Sequence, residues 1–168
     1  MLSFKEYEPK LLLFKNVTNA GEVRERIIKA NLPCAAINPR YVFDTFQVLV
    51  ATQLAVMSQQ NKALRTHSVF SEIVYNMSPT RKISDSLKIF GMSEKDTSVL
   101  CVVLSKEDME LVCSEVKGEL TNPAESNFGI CDEDELRKIY KIKEVEMKTV
   151  SLLDSIINKI STKEIITA

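Results

Sequence analysis

The stretch NPRYVFDTFQVLVATQLAVMSQQ, residues 38–60, decides how the rest of the chain must be arranged. Pro39 suits a first helical turn because it has no N–H to leave unpaired, and Asn38 stands before it as the cap. The helix predicted from there runs to residue 60. Val42, Phe43, Phe46, Leu49, Val50, Leu54 and Met57 form its apolar stripe, and Val48, Ala51, Ala55 and Val56 carry that stripe most of the way round. A helix apolar on nearly all sides is expected to be covered on nearly all sides, which makes this one the structural centre. It does not read as a membrane span. Asp44, Gln47, Thr52 and Gln53 interrupt it, and a span needs about 20 predominantly apolar residues.

On the N-terminal side, residues 10–17 (KLLLFKNV) form a short apolar run bounded by Pro9 and Asn19, the pattern of a buried strand. Asn19 then caps a helix over 20–30, with Val23, Ile27 and Ile28 at helical spacing, and 31–38 is a connector. On the C-terminal side, 61–68 (NKALRTHS) is polar and basic. Residues 69–77 read as a second strand, 78–80 as a turn, and 83–90 as a short helix stopped by Gly91. Residues 97–104 (TSVLCVVL) are the clearest strand, β-branched and continuous enough to be buried on both faces. Ser105 caps a helix over 106–116, with Glu107 and Asp108 favourably placed in its first turn. Residues 118–132 are the least patterned stretch, with Asn122-Pro123 and 127–129 in it and a possible edge strand near 116–120. Asp132 caps a helix to residue 140, and a last helix covers 146–160. Together these predict an α/β chain, one domain with a small central mixed sheet flanked by helices.

At 168 residues the chain can bury a sizeable core, and 45% apolar with 27% charged residues is ordinary for a globular protein. A net charge of −1 supplies no global attraction for polyanions, so any such contact needs a local basic patch. The four cysteines, Cys34, Cys101, Cys113 and Cys131, form no C-x-x-C pair, and the single histidine, His67, is remote from them in sequence. No metal site and no cofactor follow from that spacing, and the thiols read as reduced. The first six residues lack the apolar stretch of a signal peptide, so the chain reads as soluble and intracellular.

No catalytic residues can be assigned. The chain contains no G-x-G-x-x-G, no P-loop and no nucleophile elbow. His67 lies in a polar connector, and Asp44 reads as a carboxylate at a helix start, helped by the helix dipole. The expectation is a binding protein and not an enzyme.

Two features carry that expectation. Lys62, Arg65 and His67 precede the 69–77 segment, and Arg81 and Lys82 follow it. They are either phosphate contacts or solvated loops, and a nine-residue strand would hold the two groups about 30 Å apart. The second feature is the stripe Leu152, Leu153, Ile156, Ile157 and Ile160 opposite Asp154, Ser155, Asn158 and Lys159. Such a stripe packs on its own core, docks a partner, or does both.

Longer runs carry a resemblance. Ile37-Asn38-Pro39 through Val42, Asp44 and 46–51 (FQVLVA) is similar to the PRPK-binding protein (TPRKB) family, the small kinase-binding subunit of the KEOPS (EKC) complex. So are 71–79 (SEIVYNMSP), Ile83-Ser84, Leu87-Lys88 and Phe90-Gly91. The ends resemble it too, in 11–15 (LLLFK) with 19–21 (NAG), and in 152–154 (LLD) with 161–163 (STK). The resemblance implies a non-catalytic subunit, cytoplasmic and nuclear, that binds a PRPK-type atypical kinase directly. Through that kinase it would reach the metal-dependent subunit that transfers a threonylcarbamoyl group to adenosine 37 of tRNA. In archaeal relatives a loop resembling K-R-Q-I binds the tRNA 3′ CCA end. It corresponds to Thr80-Arg81-Lys82-Ile83, where Arg81 and Ile83 keep the pattern and Lys82 replaces the glutamine. The implied tRNA site is Lys62, Arg65, Ser78, Arg81, Lys82 and Ile83. The kinase site expected here is the aliphatic stripe itself, Leu152, Leu153, Ile156, Ile157 and Ile160. The competing reading is a small-molecule-binding regulatory domain without RNA contact, which predicts a closed apolar pocket beside the central helix.

Overall fold

The computed structural model describes residues 7–122 and 130–164. In chain order the elements are β1 (Lys10–Lys15), α1 (Ala20–Ile28), β2 (Ala35–Ile37), a 3-10 turn (Pro39–Tyr41), α2 (Thr45–Gln60), α3 (Val69–Met77) and α4 (Ile83–Phe90). They continue with β3 (Val99–Val103), α5 (Lys106–Glu115), β4 (Glu119–Thr121), α6 (Glu133–Ile139), α7 (Glu144–Met147) and α8 (Leu152–Thr162). The strands form one sheet in the order β2-β3-β1-β4. The small helix-flanked sheet is as expected, but each of its ladders is antiparallel, so the mixed strand directions are not found. The unbroken apolar run of β3 reports burial on both faces and carries no information about direction. β2 lies inside the expected connector. Three residues are too few to show a pattern, and only pairing with β3 reveals the strand.

Alternation along the strands sorts side chains into two cores. Leu13, Ile37, Leu100 and Val102 face Val48, Ala51 and Ala55 of α2, with α3, α4, α6 and α8 completing that layer. Leu12, Phe14, Val99, Cys101 and Val103 face the opposite way, onto Val23 of α1 and Val112 of α5. Cys34 and Cys101 are both buried in this second layer. Their mutual hydrogen bond, followed by burial, pushes the Cys101 thiol well above its usual range, as suits a small hydrophobe. Of the unpatterned stretch 118–132, residues 123–129 lie outside the described residues, as do residues 1–6.

The central helix begins later than predicted. Asn38 caps only the 3-10 turn, accepting from Arg40 N at 3.1 Å, and Asp44 caps α2 by accepting from Phe46 N at 2.8 Å. Nor is α2 covered on nearly all sides. Gln47, Val48, Ala51, Thr52, Ala55 and Val56 are buried, but Phe46 (52% exposed), Leu49 (40%) and Met57 (45%) face solvent. The buried Gln47 fastens its start: Oε1 accepts from Phe43 N at 2.8 Å, while Nε2 donates to Tyr41 O and to the Tyr140 hydroxyl, each at 3.1 Å. Tyr140 in turn donates to Met77 O at the end of α3. No helix among the described residues is long and apolar enough to cross a membrane.

Residues 69–77 form a helix, where a strand was expected. The Ser68 hydroxyl accepts from Ser71 N at 3.2 Å, and the Ser71 hydroxyl accepts from Ser68 N at 3.1 Å, a reciprocal capping box. Val69, Ile73 and Met77 then recur every four residues on the buried side. An apolar run this short fits either period, and β-branched content favoured the wrong one. Gly91 does end α4, but with extended backbone at φ −78°, so it supplies no left-handed turn. It supplies space: a Cβ there would lie 2.5 Å from Leu87 O. The predicted last helix is two, α7 and α8, with Ser151 capping α8 by accepting from Asp154 N at 3.1 Å.

Candidate functional site

Because α3 is helical, its nine residues advance the chain by about 13 Å at a rise of about 1.5 Å per residue, less than half the separation a strand imposes. The two basic groups therefore meet. Arg65 reaches Oε2 of Glu164 at 3.1 Å from one side, and Arg81 reaches the same oxygen at 3.4 Å from the other. Arg81 also donates to Glu164 O at 3.1 Å. Between them lies a cleft of about 360 Å³ lined by Ala63, Leu64, Arg65, Tyr75, Arg81 and Ile83.

The walls are fixed from beneath. Glu72, buried in the first turn of α3, accepts from Arg65 N (3.1 Å), Thr66 N (2.9 Å) and the Thr66 hydroxyl (2.7 Å). That carboxylate straps the 61–68 connector onto α3. On the opposite wall, Ser78 is buried and its hydroxyl accepts from Thr80 N at 3.2 Å. The Ser86 hydroxyl donates to Lys82 O at 3.0 Å, which fixes the entry to α4. The floor is Tyr75, whose hydroxyl donates to Glu164 Oε1 at 2.9 Å. Burial, reinforced by that carboxylate, pushes the phenol up to about 12.

Lys163 lies against Tyr75, outside the cleft lining. It is buried, donates to Tyr75 O at 2.6 Å, and holds its ammonium 3.4 Å from the centre of the Tyr75 ring. Burial pushes this ammonium down to about 7, against the opposing pull of Glu164 and Glu72.

Of the six residues expected to meet tRNA, Arg65, Arg81 and Ile83 line the cleft, with Ile83 38% exposed. Lys62 and Lys82 are exposed on the connector and at the start of α4. Ser78 shapes the turn and presents no free surface. Sequence reasoning missed Tyr75, Glu72, Lys163 and Glu164. The available signals were 71–79, which contains Glu72 and Tyr75, and Ser161-Thr162-Lys163 in the family resemblance, and neither carried spatial information. His67 is exposed and outside the lining, and Asp44 is the α2 cap. Among the described residues no three His, Cys, Asp or Glu side chains gather to hold a metal.

The aliphatic stripe of α8 divides. Leu152, Ile156 and Ile160 are buried in the protein's own core, so they present no side chain to a partner in this structure. Leu153 and Ile157 are half-buried at its margin. α8 packs against α2, whose outer face carries the exposed Phe46, Leu49 and Met57. These three were expected in the core, and the structure instead buries three of the five residues of the α8 stripe.

A family model described as "Kinase binding protein CGI-121" matches residues 14–164. The chain is 36% identical over 166 residues to "EKC/KEOPS complex subunit TPRKB" of Danio rerio, covering 96% of this chain and 94% of the relative. It is 33% identical over 99 residues to "EKC/KEOPS complex subunit CGI121" of Candida glabrata, covering 59% and 55% respectively. Against the Kluyveromyces lactis subunit of the same name, identity is 28% over 138 residues, covering 80% and 87%.

Proposed function

Because the chain belongs to the CGI-121 family of kinase-binding proteins, we propose that it is the small, non-catalytic subunit of a KEOPS/EKC-type complex. In that role it docks a PRPK-type kinase on one face and receives the 3′ end of a tRNA on another. The transferase subunit is reached through the kinase, and the protein works where the complex does, in cytoplasm and nucleus. It contributes position, and its partners contribute the reaction.

The observation that carries the RNA half is the convergence of Arg65 and Arg81 on one small cleft beside a tyrosine and an isoleucine. Two guanidinium forks suit phosphate oxygens, and apolar walls suit an unstacked base. The kinase half is supported by the uncovered face of α2, apolar at Phe46, Leu49 and Met57, and by the half-buried Leu153 and Ile157 of α8, the helix that packs on it. A helical face of this kind packs against a partner's helices.

The test is binding of the purified protein to tRNA with and without its CCA end, over a range of salt concentrations. The expected result is tighter binding to the CCA-ended form, with Arg65→Ala and Arg81→Ala each weakening it and each flattening the salt dependence by about one unit of slope. Equal affinity for the two tRNAs, or full affinity in both variants, overturns the RNA half. Thermal stabilisation by a metabolite with no RNA binding would point to the small-molecule reading instead. Co-purification with a PRPK-type kinase tests the other half.

A further inference from the structure

The arginines of the cleft are already paired, and with the same carboxylate. Glu164 Oε2 takes Arg65 at 3.1 Å and Arg81 at 3.4 Å, Oε1 accepts from Tyr75, and the Glu164 carbonyl accepts from Arg81. This is a contact pattern that a nucleotide phosphate would make: two guanidinium groups and one hydroxyl on the oxygens of one anion. We propose that Glu164 is a built-in competitor, holding the place of an RNA phosphate until the nucleic acid displaces it. The proposal rests on the reading of the cleft as an RNA site.

The chemistry allows the exchange. Glu164 follows α8, in the turn that ends the described chain, and its side chain is 38% exposed against 54% for Arg65 and 40% for Arg81. Ion pairs this exposed are individually weak, so the carboxylate can swing out without unfolding anything. The neighbouring backbone stays in place, since Lys163 is buried and fastened to Tyr75. In the free protein Glu164 keeps the two arginines in a shared orientation and lowers the net charge of the cleft. A lone small anion gains little by replacing it, whereas a strand that also offers a base to the exposed Ile83 gains both contacts. Glu164 thereby sets a threshold on what enters.

Glu164→Gln removes the charge while keeping the shape and a hydrogen-bonding oxygen for Tyr75. It is expected to tighten binding of a single-stranded RNA ending in CCA by about three- to tenfold. It is also expected to let inorganic phosphate shift the Arg65 and Arg81 Nε–H resonances at lower concentration than in the wild type. Unchanged or weaker RNA binding in a folded Glu164→Gln protein, with Arg81→Ala still weakening it, overturns the competition and leaves the RNA site standing. Loss of RNA binding from every variant, wild type included, overturns the RNA site itself. If Glu164→Gln does not fold, the wild-type Glu164 carboxyl 13C resonance decides. It moves toward a free carboxylate when RNA is added, and an unmoved resonance overturns the proposal.

Discussion

Lys163 and Tyr75 meet twice: the ammonium donates to the Tyr75 carbonyl at 2.6 Å and lies 3.4 Å from the centre of the Tyr75 ring. The pair fastens the end of α8 to α3, and it puts a cation where little water reaches it. Burial brings the lysine down to about 7 from an ordinary value of 10.5, outweighing Glu164 and Glu72, which favour the charged form.

Stability should therefore rise with pH near neutrality. Above pH 7 the folded protein has released the Lys163 proton while the unfolded chain, titrating near 10.5, still holds it, so raising pH favours the folded state. Below pH 7 both states are protonated and the full cost of burying the charge is present. Thermal unfolding between pH 6.5 and 8.5 should show a Tm that climbs with pH, and Lys163→Met should remove that climb. The window stops there because Cys131, raised to about 11 by burial, costs folded stability as the unfolded thiol ionises near 9. A slope equal in wild type and variant would mean that Lys163 stays charged.

Glu72 is the strap of the cleft. Its carboxylate is buried and holds the Arg65 and Thr66 backbone N–H groups together with the Thr66 hydroxyl. Glu72→Ala should cost about 2–4 kcal/mol in urea unfolding, since hydrogen bonds to a charged group contribute about 1.5–3 kcal/mol each and the orphaned N–H groups regain only some of that from water. The same variant should loosen the 61–68 connector, read as faster amide exchange at Arg65 and Thr66. A loss below about 0.5 kcal/mol would show that the connector holds itself.

Tyr140 ties three elements through one oxygen, donating to Met77 O and accepting from Gln47. Tyr140→Phe leaves both groups short of a partner at a buried position, at a cost of about 1–3 kcal/mol. Because Tyr140 is outside the cleft lining, RNA affinity should not change. Unaltered stability would mean that Gln47 and Met77 find other partners.

The aliphatic stripe of α8 separates into two classes on substitution. Ile156→Arg buries an unpaired charge at a fully enclosed position and should prevent folding. Leu49→Arg on the open face of α2, and Leu153→Arg at the margin of α8, should fold with stability close to wild type and lose the kinase in co-purification. Retained kinase with both variants folded would move the docking surface elsewhere.

Much of this fold is legible in one dimension because the signals are local. Ser105 and Asp132 cap helices where predicted, accepting from Asp108 N and Glu135 N at 3.1 Å each. The apolar run of β3 is buried on both faces as expected, and the 10–17 run does form a strand. The misreading of 69–77 is instructive because its correction was also local. Ser68 and Ser71 stand at capping-box spacing, and giving that signal more weight than β-branched content yields the helix.

The sequence by itself determined the caps at Ser105 and Asp132, the buried runs of β1 and β3, the basic character of 62–65 and 81–82, and membership in a kinase-binding family. Each depends on neighbours within a few residues or on ordered identity along the chain. Only the tertiary structure decided that Arg65 and Arg81 share Glu164, that Lys163 is buried against Tyr75, and that the open apolar face belongs to α2 more than to α8. Those relations join residues far apart in the chain. Helical spacing identifies a stripe on a helix, but whether the stripe is buried depends on which other element reaches it. For α2 and α8 the packing leaves Phe46 in solvent and encloses Ile156.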